Sequence, residues 1–295
     1  MANLPKALAD AAAEVETVLD AVLSAEGAPE KLIYDAMRYT TLGGGKRLRP
    51  FLVMESARLF GVPKASALRT GAALELIHCY SLVHDDLPAM DDDDLRRGKP
   101  TVHKQFDEAT AILAGDGLLT LAFEVLADPA THPDAEIRAA LVLALAKAAG
   151  VRGMVGGQMI DLDAETKTLN LTEITQLQQL KTGALIGFGC EAGAILGRAA
   201  TAERKALRAY ADVLGLAFQI ADDLLDVEGS VEETGKAVGK DANAGKATFV
   251  SLLGIQGARQ KAAALVDQAV SHLSGFDDRA DLLRLTARFV VDRRN

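Results

Sequence analysis

Proline distribution is the feature that most constrains the fold of this chain. All eight prolines lie at or before Pro133, so the longer part of the chain, Asp134–Asn295, has none. Proline breaks helices, and its absence favours long helices without by itself excluding strands. Within that part, Ala135–Ala149, Thr172–Leu196 and Glu203–Val227 combine alanine and leucine with apolar residues three and four positions apart. This spacing predicts stacked helices joined by short loops.

The glycine-bearing stretches do not indicate a nucleotide-binding fold. Gly187, Gly189 and Gly193 lack the dinucleotide fingerprint and follow no strand pattern, and Gly43–Pro50 lacks the spacing and the Ser/Thr of a phosphate-binding loop. No alternation of strands with helices, fixed-period repeat or low-complexity linker is evident. We therefore expect one all-α domain over residues 1–295.

Charge and cysteine content exclude several classes of protein. A net charge of −9 disfavours nucleic acid as a partner, because phosphate binding requires a basic surface. Cys79 and Cys190 lie far apart without metal-ligand spacing, which suits a reducing compartment. The first twenty residues carry charges throughout, and no uninterrupted apolar run approaches the roughly 20 residues that span a bilayer. We expect a cytoplasmic protein without a membrane span.

The first aspartate cluster, Asp85–Asp94, follows an apolar, helix-like run at Thr70–Val83. Asp85 and Asp91 cannot share a face of a regular helix. Pro88 is predicted to break the helix and to let Asp91 curl back towards Asp85. A lone acidic run is ordinarily a solvated loop, so this cluster by itself does not establish a site.

The second cluster places Asp222, Asp223 and Asp226 within an apolar helical segment. Asp222 and Asp226 lie one turn apart and face the same way. Apolar residues flank these aspartates: Phe218, Ile220, Leu224 and Leu225. Unpaired buried carboxylates are costly, so a cation is expected between them. Carboxylate and phosphate oxygens favour Mg²⁺, and the pattern offers too few soft ligands for zinc.

Basic residues occur near glycines beside both clusters. These cations are Lys46, Arg47, Arg49, Arg96, Arg97, Lys181 and Lys236. Each alone is most simply a surface charge. Together they indicate two anionic pockets, one bridged by metal and one held directly by basic side chains. This combination predicts an enzyme that binds two diphosphates.

Four motifs in this order resemble those of the trans-prenyl diphosphate synthases, most closely the bacterial type that forms farnesyl diphosphate. The motifs are Gly43–Pro50, Ile77–Thr101, Lys181–Gly183 and Phe218–Asp226. The resemblance covers nearly the whole chain. It implies a helical bundle of the isoprenoid-synthase type around a central cavity, about three Mg²⁺ ions, isoprenoid diphosphate substrates and a homodimer.

The resemblance also implies roles for individual residues. Metal ligands on the allylic diphosphate are Asp85, Asp86, Asp91, Asp222, Asp223 and Asp226, with Asp92 a plausible addition. That diphosphate is contacted by Arg96, Lys181 and Lys236, with Thr182 and Gln219 nearby. Isopentenyl diphosphate is bound by Gly45, Lys46, Arg49, His78 and Arg97. The residues expected to carry catalysis are Asp85, Asp91, Arg96, Lys181, Asp222 and Lys236. From the residues alone, His78 would instead be an ordinary core histidine.

The implied reaction ionises an allylic diphosphate to a carbocation that isopentenyl diphosphate then attacks. Tyr80 and Ser81, five and four residues before Asp85, are expected to limit the depth of the cavity and hence product length. A bulky Tyr80 resembles the farnesyl-forming enzymes, although an ordinary core aromatic explains it nearly as well. Geranyl and geranylgeranyl diphosphate remain alternative products.

Two other functions are compatible with parts of the pattern. A terpene cyclase would share the chemistry of magnesium and diphosphate, but this chain has no tryptophan and only 4% aromatic residues to line a cyclase pocket. A non-catalytic subunit of a heteromeric synthase would be expected to lack one aspartate motif, and both are present here.

Overall fold

A computed structural model describes residues 3–24, 27, 29–167, 169–228 and 248–292. Thirteen α-helices account for most of these described residues, and the expected all-α fold is confirmed. The helices are α1 (Leu4–Val22), α2 (Lys31–Thr41), α3 (Leu48–Leu59), α4 (Lys64–Asp85), α5 (Val102–Gln105), α6 (Glu108–Ala127), α7 (Ala135–Ala149), α8 (Met154–Asp163), α9 (Leu171–Gln178), α10 (Ala184–Leu196), α11 (Thr201–Glu228), α12 (Phe249–His272) and α13 (Asp281–Asp292).

Short elements complete the described structure. Strands β1 (Leu95–Arg96) and β2 (Lys99–Pro100) form an antiparallel hairpin directly after the first aspartate cluster. Two 3₁₀ turns lie at Ala164–Thr166 and Asp278–Ala280. The hairpin is the only sheet among the residues that the structure describes.

Helix termini follow local capping chemistry. Helix α7 coincides with the predicted segment, and the side chain of Asp134 accepts the backbone N–H of Glu136 at its start. Helix α9 begins with a capping box in which Asn170 and Glu173 bond each other's backbone N–H groups. Such caps satisfy donors that a helix leaves unpaired at its first turn. The starts of these two helices are therefore set by residues close to them in sequence.

The core is centred on α4 and α10. Helix α4 packs against α3 and α6, while α10 lies against α3, α7 and α11. Every residue of α10 except Glu191 is buried. A Cβ atom at Gly193 would lie only 2.2 Å from the backbone nitrogen of Ala57, so this glycine permits α3 and α10 to approach closely. The two central helices thus form a rigid frame for residues at their ends.

A π-helical turn, Gln179–Gly183, joins α9 to α10. Neighbouring backbones lie very close to it: a Cβ at Gly157 would be 2.2 Å from the nitrogen of Lys181, and one at Gly215 would be 2.9 Å from the Cα of Gly183. Lys181–Gly183 lies in this wider turn, inside the segment Thr172–Leu196 for which the apolar spacing predicted helix. Such turns occur frequently at functional sites.

Two segments, Glu108–Ala127 and Ala135–Asp163, are long and apolar enough to resemble membrane spans by length and composition. Core helices of water-soluble proteins pass the same test. Within the 18-residue window that passes this test, 44% of the residues are buried in the first segment and 28% in the second. Neither segment provides more than weak evidence for a span.

Candidate active site

The loop after α4 returns to the end of that helix. The backbone N–H of Asp91 donates to the carbonyl oxygen of Asp85 at 2.9 Å, and that of Asp93 donates to Asp86 at 3.2 Å. Asp92 lies between them with a left-handed φ of 48°. The prediction that the chain turns after Asp85 and brings Asp91 back to it is therefore confirmed.

The β1–β2 hairpin positions two consecutive arginines on different partners. Its turn residues Arg97 and Gly98 both have positive φ, which suits the twist of a tight hairpin. Arg96 binds the carboxylate of Asp86, which is only 3% exposed. Arg97 instead donates to the carbonyl oxygen of Gly44. The hairpin consequently joins the first aspartate motif to the glycine loop before α3.

Helix α8 supplies two polar side chains that the sequence analysis missed. The Gln158 amide donates to Asp85 Oδ1 at 2.5 Å, and Asp161 Oδ2 accepts from Lys181 Nζ at 2.8 Å. These two residues are three apart, so both project from one face of α8. That spacing is the signal that could have found them.

The charges around Lys181 set the protonation of two predicted site residues. Burial by itself would lower the pKa of Lys181, but the carboxylates of Asp85, Asp161 and Asp91 outweigh it and raise that pKa. Burial raises the pKa of the Asp85 carboxyl, with Lys181 acting against it and Asp91 adding to it. Lys181 therefore stays cationic, and the crowded carboxylates around it favour a further cation.

The π turn also contacts the second aspartate motif. The Thr182 hydroxyl donates to Gln219 Oε1 at 3.2 Å, and the Gln219 amide donates to Asp223 Oδ1 at 3.0 Å. Asp223 Oδ2 accepts the backbone N–H of Phe249, the first residue of α12. Asp223 is buried, whereas Asp222 and Asp226 are half-buried. Asp223 thus joins α11 to α12, and its two neighbours in the motif are more accessible.

A second cationic region surrounds His78. Arg49 Nη1 lies 3.3 Å from His78 Nε2, and because arginine can only donate, the imidazole accepts. Burial lowers the pKa of His78 well below its usual value, and the charges of Arg49, Arg97 and Arg96 lower it further. His78 is therefore neutral at physiological pH. Lys46 lies three residues before Arg49 in the sequence, and its side chain is exposed.

Gly45 allows Arg97 to lie against this region. Gly45 has φ 131°, and a Cβ there would lie 2.8 Å from Arg97 Nη1. The resemblance implied that Gly45 binds isopentenyl diphosphate. In the structure, its close neighbour is the guanidinium of Arg97.

Arg47 has a different environment from the other cations of its motif. Its guanidinium is buried, and it donates to Glu75 Oε1 at 2.8 Å, to Glu16 Oε1 at 3.2 Å and to the carbonyl oxygen of Thr41 at 2.5 Å. These contacts connect α1, α2 and α4. Arg47 is therefore part of the core rather than of an anion-binding surface.

The residues predicted to limit product length lie on α4. Tyr80 is 6% exposed, and its ring meets the imidazole of His84 edge-on with centroids 5.8 Å apart. The Ser81 hydroxyl donates to the carbonyl oxygen of His78 at 2.7 Å.

Lys236, predicted to contact diphosphate, lies outside the described residues.

Within the described ranges, no three His, Cys, Asp or Glu side chains form a ready-made metal cage. The candidate donors are carboxylates at the end of α4, in the loop that follows it and on α11: Asp85, Asp91, Asp222 and Asp226. Mg²⁺ commonly binds through one or two carboxylates and completes its shell with water and substrate phosphate. The donor set therefore fits Mg²⁺ held jointly by protein and diphosphate.

Comparison with known proteins agrees with this geometry. Residues 30–285 match the family model described as Polyprenyl synthetase. The farnesyl diphosphate synthase of Geobacillus stearothermophilus is 47% identical over 266 residues, covering 89% of each chain, and that of Escherichia coli K12 is 46% identical over 269 residues, covering 88% of this chain and 89% of the relative. A crystal structure of an FPP/GFPP synthase from Zymomonas mobilis has a TM-score of 0.91 at 53% identity and covers 98% of this chain and 99% of that one.

The geometry and these similarities lead to the same assignment. The expected relationship to prenyl diphosphate synthases, and to the farnesyl-forming bacterial enzymes in particular, is confirmed. The chain belongs to the polyprenyl synthetase family.

Proposed function

We propose that this chain is a farnesyl diphosphate synthase, which condenses isopentenyl diphosphate head-to-tail with dimethylallyl and then geranyl diphosphate. The observation that supports this proposal most directly is the position of the Lys181–Thr182 turn. Lys181 contacts Asp161 on α8, beside the first aspartate motif, and Thr182 contacts Gln219, beside the second. A separate group of cations around His78 supplies positive charge that can bind a second anionic substrate.

In the first step, the carbon–oxygen bond of the allylic diphosphate breaks and diphosphate leaves with the bonding electrons. Mg²⁺ held by Asp85, Asp91, Asp222 and Asp226 would neutralise the charge that develops on the leaving group. Lys181 is held in place by Asp161 and stays protonated, so it can donate to a diphosphate oxygen. Charge arranged in advance is an effective way to stabilise such a transition state.

In the second step, the double bond of isopentenyl diphosphate attacks the allylic carbon, and the resulting cation loses a proton. Arg49 and Arg97 hold the isopentenyl diphosphate, with His78 fixing Arg49 through its Nε2 atom. Dipoles of Thr182 and Gln219 oppose the positive charge. The departed diphosphate, which is released beside the reacting carbons, would accept the proton.

Product length is set by the wall around Tyr80, and we propose the fifteen-carbon product. The two relatives described above are named farnesyl diphosphate synthases, and the Zymomonas mobilis structure is titled an FPP/GFPP synthase. A chloroplastic geranylgeranyl pyrophosphate synthase of Arabidopsis thaliana is also 44% identical over 270 residues. Overall identity therefore does not by itself distinguish the fifteen-carbon from the twenty-carbon product.

The same proposal includes the state in which the enzyme works. Apolar side chains are exposed on one helix after another from α6 to α8: Ile112, Leu113, Leu143, Val155 and Met159. A second copy of the chain would cover such a surface, so we propose a homodimer of single-domain subunits. The acidic composition and the substrates fit the cytoplasm.

The test is incubation of the purified chain with Mg²⁺, dimethylallyl diphosphate and isopentenyl diphosphate, followed by chromatography of the dephosphorylated products. Farnesol is expected, and EDTA should abolish its formation until Mg²⁺ is restored. A cyclic hydrocarbon from farnesyl diphosphate would indicate a terpene cyclase instead. Inactivity of the pure, folded chain would favour a subunit of a heteromeric enzyme.

A further inference from the structure

His84 lies on α4 between the first aspartate motif and Tyr80, the residue proposed to limit product length. It is the residue before Asp85 on α4 and one helical turn after Tyr80, so the side chains of His84 and Tyr80 lie on one face. Their rings meet edge to face at an interplanar angle of 77°. The position of the Tyr80 ring is therefore limited by the imidazole above it.

The imidazole is in turn fixed by α6. His84 Nε2 lies 3.0 Å from the carbonyl oxygen of Ile112, which can only accept, so Nε2 carries the proton and donates it. Asp116 Oδ1 is further away, at 3.9 Å, and its side chain is exposed. The anchor of His84 is thus a backbone atom of the neighbouring helix.

Gly115 forms the seat in which this ring lies. A Cβ atom at position 115 would be 2.1 Å from His84 Nε2 and 2.4 Å from Cδ2, so only glycine leaves room for the imidazole there. If the ring were removed, the space next to Gly115 would become available to the ring of Tyr80. Rotation of Tyr80 into that space would lengthen the region beneath Asp85 that the proposed function assigns to the growing prenyl chain.

We infer that His84 is a positioning residue for product length. By packing against Gly115 and donating to the Ile112 carbonyl oxygen, it holds Tyr80 across the end of the proposed cavity. The inference rests on the proposed function and deepens it. His84 does not touch substrate in this role, because it acts through Tyr80.

The most direct measurement supplies farnesyl diphosphate as the allylic substrate together with labelled isopentenyl diphosphate. In His84→Ala, the kcat/KM for farnesyl relative to geranyl diphosphate should rise about tenfold or more, as expected when a pocket loses a steric limit. His84→Gln keeps an amide that can reach the Ile112 carbonyl but lacks the ring. It should retain the wild-type melting temperature and still elongate farnesyl diphosphate.

Two further variants separate positioning from general damage. Tyr80→Ala should elongate farnesyl diphosphate, and Tyr80→Ala/His84→Ala should do so no better, because the two residues act in series. Asp116→Ala removes the exposed neighbour of His84 and should keep the wild-type substrate ratio. Gly117→Ala adds a methyl group to α6 beside the flexible Met37 side chain and not beside His84. It should also keep that ratio.

The outcomes are distinguishable from failure of the proposed function. Wild-type enzyme that forms no prenyl product would refute the function itself. Wild-type enzyme that forms farnesyl diphosphate, with His84→Ala and His84→Gln both slower but unchanged in substrate ratio, would reduce His84 to a packing residue. A Tyr80→Ala enzyme that stops at fifteen carbons, or a double variant with additive effects, would likewise overturn the inference.

Discussion

Arg96 binds both carboxylate oxygens of Asp86, with its Nε atom 2.7 Å from Oδ1 and 2.9 Å from Oδ2. The adjacent Asp85 accepts a hydrogen bond from the neutral Gln158 amide; burial raises its pKa, Lys181 acts against that shift and Asp91 adds to it. Two consecutive aspartates therefore differ in charge balance: Asp86 is paired directly with an arginine, whereas Asp85 shares the charge of Lys181 with Asp91 and Asp161. The metal ligands predicted from the motif are not equivalent in this arrangement.

The Asp86–Arg96 pair predicts a loss of stability on mutation. Asp86→Asn should lower the free energy of unfolding by about 3 kcal/mol, because it leaves the largely buried Arg96 charge without its partner. Urea unfolding measures this directly. Asp94→Asn is the matched control: its pair with Lys104 is exposed and screened by water, so the free energy of unfolding should change little. Equal losses in both variants would contradict a structural role for the Asp86–Arg96 pair.

Asp161 is expected to matter for catalysis although no sequence motif pointed to it. Asp161→Asn should reduce kcat by about tenfold, because Lys181 would no longer be held where the leaving diphosphate develops charge. The KM for isopentenyl diphosphate should change little. Steady-state assays with geranyl diphosphate provide the measurement. Asp163→Asn removes an exposed carboxylate from the same helix, so a comparable loss of kcat in that variant would contradict the proposed role.

The glycine loop offers a comparison between neighbouring residues. Gly44 and Gly45 both have positive φ, but a Cβ at Gly44 meets no atom within 4 Å, whereas one at Gly45 meets the Arg97 guanidinium. Both alanine variants should carry backbone strain. Only Gly45→Ala should raise the KM for isopentenyl diphosphate, by about tenfold for a displaced charged contact worth about 1.4 kcal/mol. An equal rise in both variants would attribute the effect to strain alone.

His78 predicts a dependence of stability on pH. Its pKa in the folded protein lies below the ordinary value of 6.5, because burial and nearby arginines disfavour the charged form. As pH falls through 6.5, the unfolded chain gains a proton at His78 that the folded chain does not bind, so folding is weakened until the pH reaches the folded pKa. His78→Asn should therefore lose less stability than wild type between about pH 7.5 and pH 5.

The measurement is denaturant unfolding of both proteins across this pH range. Other titrating groups, including Asp85, are present in both proteins, so the difference between the two curves reports mainly on His78. Parallel curves would show that His78 titrates alike in the folded and unfolded chains.

The sequence by itself determined features that depend on nearby residues. Helical segments such as Ala135–Ala149 follow from apolar spacing and capping, and the return of Asp91 to Asp85 follows from Pro88. The helical character of most of Thr172–Leu196 likewise follows from its apolar spacing. In each case the physical cause lies within a few residues, so a reading of the chain alone could find it.

Only the tertiary structure decided how distant residues are paired. Gln158 reaches Asp85 across 73 positions of sequence, and Arg47 enters the core because Glu75 on another helix neutralises it. The His84 ring has room to lie against α6 only because position 115 is a glycine. The energy of a buried charge or ring depends on which groups the packed helices bring within a few ångströms of it. Spacing along the chain determined which residues form the elements, and helix packing determined their partners.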